Sequence, residues 1–137
     1  MPSDLKTSMF VAASGMRAQG ARIRTISENV ANANSGPEKP GGEPYRRRLV
    51  TFKNVFDRAL EADLVKVSRL KEDKSDFRLH YDPNHPAANK DGYVKMPNVN
   101  SLIEMVDMRE AQRSYQANLN MVDSSRSMIM ATIDLLR

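Results

Sequence analysis

His80, Asp82 and His85 stand close enough in the sequence to suggest a metal site. A structural zinc site needs a closed set of nitrogen or sulfur donors, and the chain has no third histidine and no cysteine to supply one. Pro83 and Pro86 fix the backbone around His85, which suits a docked strap equally well. Ser124, Ser125 and Ser127 have no histidine downstream of them, so a nucleophile with its base finds no local support. Asp63, Asp73 and Asp76 lie among Lys66, Lys71 and Lys74, a mixed-sign pattern that marks a solvated loop. The six glycines form neither a phosphate-cradling loop nor a dinucleotide fingerprint. The sequence thus points to no catalytic residue, no cofactor-binding residue, no metal ligand and no enzyme.

The remaining candidate chemistry is charge. The chain carries 21 Lys and Arg against 17 Asp and Glu in 137 residues, for a net +4. That excess is thin, running +2 over residues 1–35, +3 over 36–78 and −1 over 79–137. Its one cluster is Arg46-Arg47-Arg48. A nucleic-acid module gathers its cations on one face, whereas three consecutive arginines on an extended segment point to alternating faces. A solvated edge strand is the simpler expectation. Absence of cysteine excludes a disulfide scaffold, a thiolate zinc site and a cysteine nucleophile. Aromatics make up only 6% of the chain, with no Trp, which leaves few large anchors for a core. Met9 to Ala13 is too short for a signal-peptide core and no stretch is long enough to span a membrane, so neither a cleaved signal nor membrane insertion is expected.

The elements that must carry these residues are mainly helical. Residues 1–35 read as one heptad helix, with Met9, Met16, Ile23 and Val30 at position a and Leu5, Ala12, Gln19, Ile26 and Ala33 at d. Gly15 and Gly20 each cost about 1 kcal/mol relative to Ala in a helix, which close approach of another backbone could offset. Asn29, Asn32 and Asn34 crowd the helix end more densely than one cap requires, which suggests hydrogen bonds to another chain or to the strap. Residues 36–44 form a Pro/Gly linker. Residues 45–81 read as a small β-rich segment with strands at Leu49–Phe52, Leu64–Val67 and Phe77–Tyr81; Asn54–Leu60 could instead be a helical turn. Residues 82–98 read as an extended strap with Tyr93 in it. Residues 99–137 are a second heptad helix, with Met108, Tyr115, Val122, Ile129 and Leu136 at a and the small or polar Ala111, Asn118, Ser125 and Thr132 at d.

The fold class expected is therefore mainly α with a small β-rich middle, the long N- and C-terminal helices pairing as an antiparallel coiled coil. Glycines and polar d residues make that pairing insecure in one chain. Its ends should fray until neighbouring subunits cover them. The nine methionines, several at a and flanking positions, suit interface packing.

Ala13-Ser14-Gly15-Met16, followed by Ile26-Ser27-Glu28-Asn29-Val30-Ala31-Asn32-Ala33-Asn34-Ser35, resembles the N-terminal signature of the bacterial flagellar rod and hook axial proteins. The strap motif Asp82-Pro83-Asn84-His85-Pro86, with Asp91 through Asn100, is similar to that of proximal rod members of the family. So is Glu104 through Asn118. The resemblance implies a periplasmic subunit of the flagellar basal body, exported by the flagellar apparatus without a cleaved signal peptide. Its partners would be copies of itself and other rod subunits in a helical assembly, with no nucleic acid, no small-molecule substrate and no membrane insertion. Subunit contacts would fall on Leu5, Met9, Met16, Ile23, Ile26, Val30, Met108, Tyr115, Asn118, Val122, Ile129 and Leu136, and on Asn29, Asn32, Asn34 and Tyr93. A different class of reading is a basic coiled-coil adaptor that binds nucleic acid or an acidic protein through Arg46-Arg47-Arg48.

Overall fold

The computed structural model describes residues 2–136. Helix α1 (Pro2–Ala31) is followed by strands β1 (Arg48–Asp57), β2 (Ala62–Glu72), β3 (Arg78–Tyr81) and β4 (Tyr93–Met96), and helix α2 (Ser101–Leu135) closes the chain. Strands β1 and β2 form one two-stranded sheet, β3 and β4 another. The chain groups into two compact units: Met1–Ile23 with Val50–Arg69 and Arg109–Arg137, and Arg24–Leu49 with Leu70–Met108.

In the first unit the two helices run antiparallel. Gly15 lies against Asn118, and the Arg22 guanidinium is 3.6 Å from the Glu110 carboxylate. The buried positions of this unit are small: Ala12, Ala111 and Ser125, with Ser14 and Ala18 on the side of α1 that meets β2. Of the expected d positions of α2, Ala111 and Ser125 are buried and Asn118 meets Gly15, whereas Thr132 is exposed. A Cβ on Gly15 would meet the Asn118 amide nitrogen at 2.7 Å, so a larger residue there would have to displace that side chain, while a Cβ on Gly20 would meet nothing within 4 Å. Ser14 ties the hairpin to α1. Its hydroxyl donates to the Val11 carbonyl (2.7 Å) and accepts the Val65 N–H of β2 (3.1 Å). The hairpin turns at Asp57, whose carboxylate accepts the Ala59 and Leu60 amides, with Glu61 at φ 49°.

The second unit holds the larger core, built from Ile26, Ala33, Ala87, Val94, Pro97 and Val99. Strands β3 and β4 pair antiparallel, from Arg78 opposite Met96 to Tyr81 opposite Tyr93. Along β4 only Val94 is buried between exposed Tyr93 and Lys95, the period-two pattern of a strand with one wet face. Gly92 makes the turn before β4 at φ +81°, and a Cβ there would meet the Tyr81 ring at 2.9 Å. Asn100 caps α2: its side-chain oxygen accepts the amides of Leu102 and Ile103.

Several sequence expectations are revised here. The end of the strap is a strand, because Tyr93–Met96 pairs with β3 and buries Val94. Strands β1 and β2 are longer than the apolar runs that signalled them. Asn54 to Asp57 continues β1 and is not helical. The 36–44 segment is a closed loop, since the Tyr45 amide donates to the Ser35 carbonyl (3.4 Å) and Pro37 and Pro44 are buried.

Candidate assembly interface

Asn29 is the best-satisfied polar side chain of the second unit. Its oxygen accepts the Tyr45 hydroxyl and the Arg48 amide, both at 2.9 Å; its nitrogen donates to the Arg48 carbonyl (2.8 Å) and the Glu104 carboxylate (2.9 Å). A primary amide has two acceptor sites and two donors, so every site is filled, at 1% exposure. Glu104, also 1% exposed, receives the Arg47 Nε at 2.5 Å. The other Arg47 nitrogens reach Asp73 (3.5 Å) and Asp107 (3.4 Å). Arg47's backbone is held too: its amide donates to Asn98 Oδ1 and its carbonyl accepts the Asp73 amide, each at 2.8 Å.

The electrostatics follow from these contacts. Burial works to lower the Arg47 pKa, but the Glu104 hydrogen bond and charge, helped by Asp73, outweigh it, so the guanidinium is held above its ordinary value. Asp73 is lowered chiefly by the Ser75 amide, with burial opposing and the Ser75 hydroxyl and Arg47 assisting. Burial raises the Tyr45 phenol against the pull of Arg48, with Glu28 and Glu104 adding to the rise, which keeps it the donor that Asn29 needs.

The arginine cluster is therefore engaged within the chain. Arg46 stacks on Phe77 at 4.1 Å and reaches the Asp73 and Ser75 carbonyls; Arg48 lies 3.8 Å from Glu28 and over the Tyr45 ring. The expectation of a solvated edge strand holds for Arg48 alone, the one exposed member of the three. Sequence reasoning missed the role of Arg47 and Glu104. A signal was present: the d line of α2 continued one heptad back from Ala111 lands on Glu104, and a carboxylate on a helix seam demands a cation.

Of the asparagine cluster, Asn29 alone reaches across the fold. Asn32 donates back to the Glu28 carbonyl and accepts the Ser35 hydroxyl, while Asn34 is exposed. His85 Nδ1 accepts the Ala87 amide and so closes a turn of the strap. Tyr93 stands on exposed ground with its ring edge-on to Tyr81 at 5.2 Å. The heptad residues sit mostly at the margins of the seam. Leu5, Met9, Met16, Ile23 and Val30 of α1 are half-buried and Ile26 is buried. On α2, Met108, Tyr115, Asn118, Val122 and Ile129 are half-buried, while Leu136, just past its end, is 85% exposed.

Many large apolar side chains of α2 are exposed. In the second unit Leu102, Ile103, Met105 and Val106 are more than half exposed. In the first unit Met121, Met128, Met130, Ile133 and Leu135 are about half exposed or more. A helix whose inner line is small and whose outer face is apolar has surface left for neighbours. No helix among the described residues is long and apolar enough to cross a membrane.

Comparison with known proteins gives this arrangement its context. Residues 9–37 match the family "Flagella basal body rod protein", and residues 90–135 match "Flagellar basal body rod FlgEFG protein C-terminal". The chain is 50% identical over 133 residues to the flagellar basal-body rod protein FlgC of Agrobacterium fabrum, covering 97% of this chain and 96% of that one. It is 38% identical over 143 residues to the FlgC of Bacillus subtilis, with 93% and 95% covered. The FlgC of Salmonella typhimurium is 38% identical over 125 residues, with 91% and 92% covered. Matches of this extent, spanning both helices and everything between them, show that the chain belongs to the flagellar basal-body rod protein FlgC family.

Proposed function

We propose that this protein is a structural subunit of the proximal rod, the drive shaft of the flagellar basal body, and that it polymerises through its terminal helices to carry torque from motor to hook. The observation that carries this reading is the division of labour on α2. Small residues close the contact with α1 inside the chain, and the large apolar residues are left facing out. Staggered helical contacts to several neighbours would spread a torsional load over many side chains. Its partners are copies of itself and other rod subunits, reached after export through the flagellar apparatus without signal cleavage, in the periplasm; no catalytic step and no nucleic acid enter its role. The interface comprises the heptad residues of both helices with the outward methionines. Arg46 and Arg47 make contacts within the chain and Arg48 lies near Glu28, which favours the rod reading over a nucleic-acid adaptor.

The test replaces Met128, an exposed residue, with aspartate. Circular dichroism of the isolated Met128→Asp chain should match the parent, while cells carrying it in place of the parent should lose motility. Tyr115→Ala should lose motility in the same way. Normal swimming in both strains would refute the reading.

A further inference from the structure

In the first unit a groove of about 240 Å³ opens between α1 and β2. Ser14 and Ala18 form one wall, Leu64 and Val67 the other, and Arg17 and Lys66 stand at its rim, both exposed. Among the described residues neither cation is within salt-bridge distance of a carboxylate. The volume is that of one or two aliphatic side chains; a cavity of roughly 150 Å³ already takes a benzene ring.

Among the described residues the most exposed large apolar side chains are consecutive: Leu135 at 88%, the last residue of α2, and Leu136 at 85%, just past it. Asp134 precedes them, and the last turn of α2 holds no basic side chain. This end therefore offers two aliphatic groups, the Asp134 carboxylate and the negative pole of a helix, with Arg137 following in the sequence; the apolar pair and Asp134 complement an apolar groove rimmed by two cations. The chain cannot make this contact with itself. Gly15, next to Ser14, lies against Asn118, and Leu135 is 17 residues further along α2, about 25 Å at 1.5 Å per residue.

We propose that the Leu135–Leu136 end of one copy seats in the Ser14–Ala18–Leu64–Val67 groove of a second copy, with Asp134 facing Arg17 and Lys66. The proposal rests on the polymerising role above and names one of its contacts. Knob and groove are different patches of the same chain, so the contact is heterologous, the type that propagates into an open helical filament.

Because the chain has no native cysteine, disulfide trapping gives a clean test. A Val67→Cys chain is mixed with a Leu136→Cys chain under oxidising conditions, and in parallel with a Met121→Cys chain. All three positions are exposed, so the fold is not at stake. The 67–136 cross-link should exceed the 67–121 cross-link about tenfold. Lys66→Glu should weaken self-association in sedimentation velocity by about tenfold, and adding Asp134→Lys should restore it. Equal cross-linking yields, dominance of the 67–67 product, or no rescue by the charge exchange would overturn the seat while leaving polymerisation intact. A parent chain that stays monomeric at every concentration would overturn both.

Discussion

Replacing Arg47 with methionine should unfold the second unit more readily than any other single change to its polar network. The substitution keeps much of the stem and removes the charge. Asp73 and Asp107, whose side chains are 25% and 31% exposed, fall back on water and lose little. Glu104 cannot, because its side chain is 1% exposed and keeps only the Asn29 amide as partner. Breaking a buried pair by removing one member costs roughly 3–5 kcal/mol, most of it the penalty of the charge left behind. Residual water access through the partly open Arg47 site places this case at the lower end, about 3 kcal/mol. For a chain of this size that lowers the melting temperature by roughly 10 °C. The companion variant Glu104→Gln removes the charge and leaves an acceptor for Asn29. The Arg47→Met/Glu104→Gln double variant should therefore recover about 2 kcal/mol relative to the sum of the single effects, measured by urea denaturation of the full chain. A loss under about 1 kcal/mol for Arg47→Met, or strict additivity in the cycle, would refute the claim that this pair is energetically coupled.

Three further outcomes follow from the geometry. Gly15→Ala should be close to neutral in the parent, where displacing the Asn118 amide that the new Cβ meets at 2.7 Å offsets the gain in helix propensity, and should stabilise an Asn118→Ala background by about 1 kcal/mol, read by thermal melts. Asp73→Asn should cost stability at neutral pH and nothing in strong acid: a carboxyl with a depressed folded pKa contributes above the ordinary carboxylate range and stops contributing as pH falls through its folded value. Chemical denaturation across pH checks the crossover. Gly92→Ala should lower stability by about 2 kcal/mol, because it combines positive φ with a Cβ 2.9 Å from the Tyr81 ring; calorimetry that shows no loss would refute the required turn.

Both helices were legible because heptad periodicity survives glycines and polar substitutions at d. Which side of α2 faces inward was harder to read, since Ala111, Asn118 and Ser125 look like weak points until Ala111 and Ser125 are seen buried and Asn118 is seen in the space that Gly15 leaves. Strands β1 and β2 were only partly visible. Much of both is exposed, so no alternation of apolar and polar residues extends beyond the short runs. Strand β4 hid behind Lys95 and Pro97, and only pairing with β3 reveals it. The ion cluster escaped because its members are 26 to 60 residues apart in the chain, and no local pattern joins Arg47 to Asp73, Asp107 and Glu104.

The hydrogen bond that closes Ser35 onto Tyr45 makes the nine residues between them a handle. Gly41, at φ +79° with open space around it, marks the tip. Doubling the length of a closed flexible loop costs only about 0.6 kcal/mol, and here the anchors on either side are fixed by Asn29 and its partners. A short epitope or a fluorophore-binding peptide spliced at Gly41 should therefore leave the helices undisturbed. Such a label would give microscopy a way to count these subunits in a living cell.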